Sequence, residues 1–384
     1  MLLPRLVTPL VEARLRSHPA VALVGPRQSG KTTLARTLGH AYFDLEQAPE
    51  RLRLDLEWGG VLEKRELVIL DEAQSWPEIF PRLRAAIDAN RKRKGRFLLL
   101  GSVSPALMTQ VSESLAGRLS LVELTPFLLA ELTAKASRER LWLTGGYPDG
   151  GVSSPRAFPR WQADYLSLLA QRDLPNWGLP ARPQTTGRLL QMLAAVHGQI
   201  WNASQIGKSL GLSYHTVNTY VDYLVGAFLI RRLAPFHANL RKRLVKSPKL
   251  YWRDSGVVHA LLNVRDKRSL LVQPWVGASW EGFVIEQVLG VLSSLGVPHQ
   301  AYHFRTSDQQ EIDLVLELGS GIWAIEVKLT TTPSREDMAR LDRAAALVGA
   351  SHRYLISQTR TPAGDERRAS GNLPWLIERL REQF

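Results

Sequence analysis

The feature that most constrains this chain is the octapeptide GPRQSGKT at residues 25–32, which directly follows the apolar run AVALVG. It has the pattern G-x-x-x-x-G-K-[ST], and a helical pattern, TLARTLG, comes directly after it. Glycines let the backbone curl so that several amide groups point at one anion, and the start of a helix adds its positive dipole end. The order strand, loop, helix therefore predicts a phosphate-binding loop. The alternative is a strand-to-helix turn that merely contains glycine.

The phosphate-loop hypothesis gives each residue of the motif a role. Lys31 is expected to reach the β and γ phosphates and to act in catalysis, and Thr32 is expected to ligate Mg²⁺. ATP and Mg²⁺ are therefore the predicted cofactors. The predicted nucleotide contacts lie in the loop and at two later strand ends: Gly25, Pro26, Arg27, Gln28, Ser29, Gly30, Lys31, Thr32, Thr33, Asp71 and Ser102.

A second motif, ELVILDEAQ, predicts a buried strand that ends in an acidic pair. Asp71 at the strand end is expected to hold Mg²⁺ through water, and Glu72 is placed to polarise an attacking water. Carboxylates also favour helix starts, which is the simpler explanation of the pair. The next strand, RFLLLGS, ends at Ser102, which is expected beside the γ-phosphate, with Ser104 as the nearby alternative.

Arg118 follows a glycine in SLAGRLSLVEL. It could act as a catalytic arginine that reaches the ATP of a neighbouring subunit, in which case the protein is a homo-oligomer. A solvated arginine at the start of a strand explains the same residue without a partner.

Composition and charge limit the classes of partner and compartment. Lys and Arg number 49 against 36 Asp and Glu, a formal charge of +13, which favours a polyanion partner such as DNA. An arginine-rich proteome is the alternative explanation. The chain has no cysteine, so disulfides and thiolate metal sites are excluded. A cytoplasmic protein without a membrane partner is expected, because the N-terminus lacks a signal-peptide pattern and no apolar run reaches roughly 18 residues.

The middle of the chain has the spacing of a helix-turn-helix. A first helix is predicted at Ala203–Leu210, a turn at Gly211 and Leu212, and a second helix capped by Ser213. The segments FLIRRLAPF and KLYWRD would form the strands of a wing. The residues predicted to contact DNA are Tyr214, His215 and Asn218 on the second helix and the basic residues Arg241, Lys242 and Arg243. Packing of this part against protein is the alternative.

The stretch EIDLVLELGSGIWAIEVK predicts two strands that carry charge in an apolar setting. Alternation places Glu326 and Lys328 on one face of a strand that is expected to be central in its sheet. Since buried isolated charges are costly, a divalent cation held by Asp313 and Glu326 beside Lys328 would relieve them, with Glu281 on the preceding helix as a third ligand. Asp313, Glu326 and Lys328 are then candidate catalytic residues for phosphodiester cleavage. A salt-bridged Glu326–Lys328 pair in an inactive relic is the alternative.

Taken in order, these motifs, with LTPFLLAEL and GGYP after SLAGR, resemble the AAA-type bacterial and archaeal ATPases that carry a nuclease-like C-terminal domain. The tail is similar to PD-(D/E)xK nucleases, although EID stands where that pattern has PD. The resemblance implies an α/β fold: a P-loop NTPase core with a parallel sheet (1–140), a helical and winged-helix region (141–270) and a restriction-endonuclease-like α/β domain (271–384).

Three functions remain open at this point. The first is a Mg²⁺-dependent ATPase that engages DNA, the second is a nucleotide-gated metal-dependent nuclease, and the third is a non-enzymatic, ATP-switched regulator that binds DNA or protein. The sequence does not determine the nucleic-acid substrate, the oligomeric state, the pathway or whether the tail cleaves.

Overall fold

The computed structural model describes residues 3–64, 66–102, 115–237 and 245–384, which divide into two units. The first unit holds the described residues up to Phe127 together with Gly226–Phe228. The second holds Leu128–Val225 and Leu229–Phe384. In neither unit do the described residues include a helix with the length and apolar character that a bilayer crossing requires.

The first unit alternates strands and helices, as the apolar pattern predicts. In chain order its described elements are α1 (Thr8–Ser17), β1 (Ala20–Val24), α2 (Lys31–Leu38), β2 (Ala41–Asp44), α3 (Ala48–Glu63), β3 (Val68–Asp71), α4 (Ile79–Ala89), β4 (Phe97–Gly101) and β5 (Leu119–Glu123). These strands form a parallel sheet in the order β2-β3-β4-β1-β5. The predicted parallel sheet is confirmed, and β4 lies between β1 and β3.

Both faces of this sheet are buried, which explains why its strands are apolar throughout rather than alternating. Ala20, Ala22 and Val24 of β1 join one hydrophobic core, while Val21 and Leu23 join the core on the opposite face. Polar residues can therefore be placed at the carboxyl ends of the strands. The loop at residues 25–30 follows the carboxyl end of β1.

The second unit begins with helices and short strands. In chain order these are α5 (Lys135–Thr144), α6 (Arg160–Leu168), α7 (Leu174–Asn176), α8 (Pro183–Ala195), β6 (Gln199–Ile200), α9 (Ala203–Leu210), α10 (Tyr214–Gly226), β7 (Ile230–Pro235), β8 (Lys249–Trp252), α11 (Ser255–Leu261) and α12 (Lys267–Leu271). The bounds of α9 match the predicted first helix. Gly211 ends α9 with a positive φ of 68°, and the Ser213 hydroxyl accepts a hydrogen bond from the Thr216 amide at 3.1 Å, which caps α10 as predicted.

The unit continues with a long buried helix and a larger set of strands. These are α13 (Val276–Leu295), β9 (Gln300–Arg305), β10 (Glu311–Leu318), β11 (Gly321–Val327), α14 (Arg335–Val348), β12 (His352–Ser357), β13 (Ala363–Gly364), β14 (Arg368–Asn372) and α15 (Leu373–Gln383). In the described residues the strand order of the unit is β13-β14-β12-β11-β10-β9-β7-β8-β6. The predicted central position of β11 is confirmed, because it lies between β10 and β12.

One sheet spans the predicted regions 141–270 and 271–384 because β7 pairs in parallel with β9, at Ala234 with Tyr302 and at Pro235 with His303. The predicted boundary near residue 270 therefore separates two stretches of sequence that share one compact unit. The same unit is held by Glu286 of α13, whose buried carboxylate accepts hydrogen bonds from Arg231 of β7 at 2.9 Å and from Arg253 at 3.1 Å.

The Glu286 contact predicts a pH-dependent contribution to stability. Burial raises the pKa of Glu286, but the Arg231 and Arg253 guanidinium groups outweigh burial and hold it below its usual value. We expect Glu286→Gln to lower the free energy of unfolding by about 3–5 kcal/mol at pH 7, since it leaves buried positive charge uncompensated. A folded-state pKa below the unfolded value gives stability at high pH that is lost as pH falls, so the difference should shrink in acid.

Urea unfolding of the wild type, Glu286→Gln and the exposed control Glu382→Gln, at pH 7 and in acid, measures this difference. A Glu286→Gln variant as stable as Glu382→Gln at pH 7 would contradict the prediction.

Candidate functional site

The loop after β1 takes a conformation that only glycine permits at one position. Gly25 has a φ of 152°, and a Cβ atom there would lie 2.1 Å from the carbonyl oxygen of Leu124. Gly30, immediately before α2, has a φ of 97°. The motif glycines therefore let the loop turn tightly against the end of β5 and enter the helix, as the sequence predicts.

Lys31 is buried at the start of α2, with 6% of its surface exposed. Its Nζ donates to the carbonyl oxygens of Gly25 and Pro26, both at 2.9 Å, and lies 3.5 Å from the Ser102 hydroxyl. Burial lowers the pKa of Lys31 to about 8, and the nearby Glu72 and Asp71 carboxylates do not offset it. This ammonium group therefore has neutral hydrogen-bond acceptors but too little negative charge around it.

Oxygen ligands suited to Mg²⁺ meet beside this lysine. The Thr32 hydroxyl donates to Asp71 Oδ2 at 2.7 Å, which brings together the two residues predicted to hold the metal. The Tyr42 hydroxyl donates to the same oxygen at 2.8 Å. Hydroxyl and carboxylate oxygens are the ligands that Mg²⁺ prefers, so the donor set fits this ion. Tyr42 was missed in the sequence analysis, and its place on β2, next to β3 in the sheet, is the tertiary information that was lacking.

Glu72 follows Asp71 in a left-handed conformation with a φ of 47°. Its amide donates to Asp71 Oδ1 at 2.9 Å, and the side-chain amide of Gln74 donates to its carboxylate. Burial raises the pKa of Glu72, while Lys31 opposes that rise. A carboxylate with a raised pKa next to the predicted nucleotide is suited to accept a proton.

Arg5, which was also not predicted from the sequence, supports the phosphate loop. Its guanidinium donates to the Ser29 carbonyl oxygen at 2.8 Å and to that of Thr125. Nothing in the N-terminal sequence links this arginine to the motif, since the contact joins residues that are 24 positions apart in the chain.

Arg118 forms a two-point ion pair with Asp88 at the end of α4. Its Nε and Nη2 lie 2.8 and 2.9 Å from the two carboxylate oxygens. This contact gives Arg118 a partner within its own chain, and a role at a neighbouring subunit stays a prediction. Ser104, the alternative to Ser102, lies outside the described residues.

The predicted DNA-contacting residues of α10 differ in their surroundings. Tyr214 is 50% exposed and its ring lies 3.8 Å from that of His215, which is also exposed. The Asn218 side chain instead accepts a hydrogen bond from the Trp201 ring nitrogen at 2.8 Å. Arg241, Lys242 and Arg243 lie outside the described residues.

In the second unit, carboxylates predicted as metal ligands surround a lysine. Lys249 of β8, with 4% of its side chain exposed, lies 2.9 Å from Glu281 of α13, 2.8 Å from Glu311 and 3.4 Å from Asp313 of β10. The Tyr251 hydroxyl donates to the same Glu281 carboxylate. Burial alone lowers the pKa of Lys249, but Glu281 and Asp313 raise it well above its usual value. Lys249, together with its three carboxylate partners, is called the lysine–carboxylate cluster below.

Asp313 joins this cluster through an irregularity in β10. The pairing of β10 with β9 shifts register between Ile312 and Val315, and such a shift redirects side chains. Its Oδ2 accepts a hydrogen bond from the Val327 amide at 2.9 Å. Burial raises the pKa of Asp313 to about 7.

Glu326 and Lys328 form the ion pair that is the alternative to a metal site. Lys328 Nζ lies 2.6 Å from Glu326 Oε1. Burial raises the pKa of Glu326 to about 8, and Asp313 adds to that rise. In the described part of the chain, no group of three or more His, Asp or Glu side chains is arranged to hold a metal ion. The metal roles of Glu281, Asp313 and Glu326 stay predictions.

The sequence analysis missed Lys249, Tyr251 and Glu311. Strand alternation could have placed Glu311 on the same face as Asp313, and Lys249 on the same face as Tyr251. What it could not show is that β8 and β10 lie on either side of β7 and β9 in one sheet, so that their charged ends meet.

Comparison with known proteins places this geometry in a family. Residues 17–133 match the AAA domain, and residues 135–268 and 276–374 match two domains of unknown function. The uncharacterized proteins Rv2008c of Mycobacterium tuberculosis and Mb2031c of Mycobacterium bovis are each 38% identical to this chain over 357 residues, which cover 90% of it and 80% of their own length. The chain belongs to their family. The AAA match and the parallel sheet make the first unit a P-loop ATPase domain.

Two solved structures are also similar, at low identity. The Walker-type ATPase PABY2304 of Pyrococcus abyssi matches 67% of this chain and 94% of its own with 16% identity and a TM-score of 0.45. A signal transduction ATPase with numerous domains, PH0952 of Pyrococcus horikoshii, matches 74% of this chain and 47% of its own with 12% identity and a TM-score of 0.29.

The lowered pKa of Lys31 predicts proton uptake on nucleotide binding. With a pKa of about 8, Lys31 is mostly neutral at pH 9 in the free protein, and bound phosphates favour its charged form. We expect uptake of close to one proton per nucleotide at pH 9 and little at pH 7. Titration calorimetry in buffers of different ionisation enthalpy measures this uptake.

The control variant is Lys31→Arg, whose guanidinium stays charged at pH 9 and should take up no proton. Equal uptake by the wild type and this variant at pH 9 would assign the proton to another group.

Proposed function

We propose that this protein binds ATP with Mg²⁺ at the phosphate loop and hydrolyses it. The observation that carries the proposal is the buried Lys31 ammonium group, which lies at a helix start beside Ser102 and whose pKa burial lowers despite the nearby Glu72 and Asp71 carboxylates. A triphosphate supplies that charge, and the loop amides add donors to it. The match of residues 17–133 to the AAA domain supports the same function.

The residues around Lys31 divide the work of hydrolysis. Lys31 leaves the Gly25 and Pro26 carbonyls to bind the β and γ phosphates, and Ser102 donates a hydrogen bond near the γ-phosphate. Thr32 and Asp71 would hold Mg²⁺, which would neutralise phosphate charge. Glu72 orients a water and accepts its proton, a role that its raised pKa suits. Tyr42 keeps the Asp71 carboxylate in place.

Removing the proposed general base, Glu72, and removing the Lys31 cation should reduce ATP hydrolysis for different reasons. We expect Glu72→Gln to bind ATP but to hydrolyse it roughly 10²–10⁴-fold more slowly, the usual contribution of a general base. Lys31→Ala should lose both binding and hydrolysis. Phosphate release and nucleotide affinity measured on the purified variants separate these effects.

Glu78→Gln is a matched control, because Glu78 is an exposed carboxylate six residues after Glu72. It should hydrolyse ATP at the wild-type rate. Equal rates for the wild type, Lys31→Ala and Glu72→Gln would end the proposal.

DNA is the proposed macromolecular partner of the second unit. The helices α9 and α10 with the strands β7 and β8 have the order of a winged helix, and the exposed Tyr214 and His215 lie at the start of α10, where such folds contact bases. The charge of +13 supports a polyanion partner. The order α13, β9, β10, β11, α14, β12 supports a nuclease-like fold for the tail.

The proposed DNA contact predicts a loss of affinity in a double variant. Replacing Tyr214 and His215 with Ala should weaken duplex binding by roughly 10-fold or more, which corresponds to loss of one or two groove contacts. Fluorescence anisotropy at several salt concentrations measures the affinity. The control is Ser209→Ala, an exposed change on α9. Affinity unchanged in the double variant would redirect the assignment to a protein partner.

A further inference from the structure

We propose that the ammonium group of Lys249 permanently takes the place of a divalent cation in the lysine–carboxylate cluster, so that this cluster has a structural role and holds no metal. The inference rests on the nuclease-like fold proposed above, which implies a metal held by Asp313, Glu326 and Glu281. It concerns the second unit alone and is independent of ATP hydrolysis by the first.

The hydrogen bonds of Lys249 account for all of its donors. An ammonium group has three N–H donors, and three carboxylates accept from Lys249: Glu281 at 2.9 Å, Glu311 at 2.8 Å and Asp313 at 3.4 Å. The lysine therefore binds two of the three acids that the nuclease pattern would give to a metal, Glu281 and Asp313.

The third predicted metal ligand, Glu326, is paired with a different lysine. Glu326 uses Oε1 to bind Lys328 at 2.6 Å, its Oε2 is buried without a hydrogen-bond partner among the described residues, and it does not contact Lys249. The other Asp313 oxygen accepts from the Val327 amide. A metal ion bound by Glu281 and Asp313 would have to displace the Lys249 ammonium group that now lies between them, so the predicted metal does not fit this arrangement.

Burial explains why the substitution is stable. Lys249 has 4% of its side chain exposed and Asp313 has 7%, so neither charge could remain in this sheet alone. A lysine encoded in β8 supplies positive charge to the acids at all metal concentrations. It also ties β8, next to the proposed winged helix, to α13 and β10. The acids that resemble a cleavage site then serve to hold these elements together and to keep the unit from cutting DNA.

The test is the response of stability to Mn²⁺ in the full chain without nucleotide. Lys249→Met keeps the apolar stem and removes the charge. We expect this variant to lower the Tm by roughly 5–10 °C, because it leaves carboxylates uncompensated, and we expect Mn²⁺ to restore the loss. The wild type should show no Mn²⁺ stabilisation that depends on Asp313. The double variant Lys249→Met with Asp313→Asn controls for Mn²⁺ bound elsewhere and should not be rescued.

Each outcome decides the proposal. Mn²⁺ stabilisation of the wild type that Asp313→Asn abolishes would overturn it and identify a true metal site. A Lys249→Met variant as stable as the wild type would overturn it as well. Destabilisation that Mn²⁺ does not reverse would show that the position does not accept a metal, and would sink the nuclease-like interpretation while leaving the ATPase proposal intact. If Lys249→Met does not fold without metal, the yield of soluble protein on refolding with and without Mn²⁺ gives the same decision.

Discussion

The arrangement of the second unit depends on the short parallel pairing of β7 with β9, at Ala234 with Tyr302 and at Pro235 with His303. Without it, the strands β6, β7 and β8 and the strands β9 to β14 would be two separate sheets. Two pairs of residues give little binding energy on their own. The pairing persists because buried ion pairs lie across it, from Arg231 to Glu286 and from Lys249 to the carboxylates of α13 and β10. Since these charges are buried or half-buried, separating the strands would leave them without partners at a cost in free energy.

Two buried lysines show how the surroundings of a charge set its role. Lys31 and Lys249 are both nearly inaccessible to solvent, yet the pKa of the first is lowered and the pKa of the second is raised. Lys31 rests on backbone carbonyls and a hydroxyl, which solvate a cation without neutralising it. Lys249 has three carboxylates within 3.4 Å. The first ammonium group is therefore suited to receive an anionic ligand, while the second has its anions already.

The separate roles proposed for the two units follow from this contrast. The residues proposed to bind and turn over a ligand, Lys31, Asp71 and Glu72, lie at a helix start or a strand end. Acids that are paired inside a sheet give stability and orientation instead. A Glu-x-Lys sequence is compatible with a catalytic role and with a structural role. The residues that another strand places beside it determine which role it has. For Glu326 and Lys328 the nearest groups are each other.

How much the sequence predicts depends on how far apart the interacting residues lie. The phosphate loop, the strand before it and the helix after it are contiguous, so their backbone requirements appear as one unbroken motif. The helix bounds Ala203–Leu210 and the Ser213 cap are likewise local properties of periodicity and capping, and the apolar run of β11 indicates its burial. The contacts of Arg118 with Asp88 and of Asn218 with Trp201 are not local, and they give those side chains partners that no pattern in the chain indicates.

By itself, then, the sequence determined the nucleotide-binding loop, the alternation that makes a parallel sheet, and the fact that acids and lysines of the tail sit in apolar strands. Only the tertiary structure decided which opposite charges meet there. Lys249 is 32 residues from Glu281 and 64 from Asp313 along the chain. It reaches them because of the strand order in the sheet, which brings β8 and β10 close to α13 and which local sequence patterns do not encode.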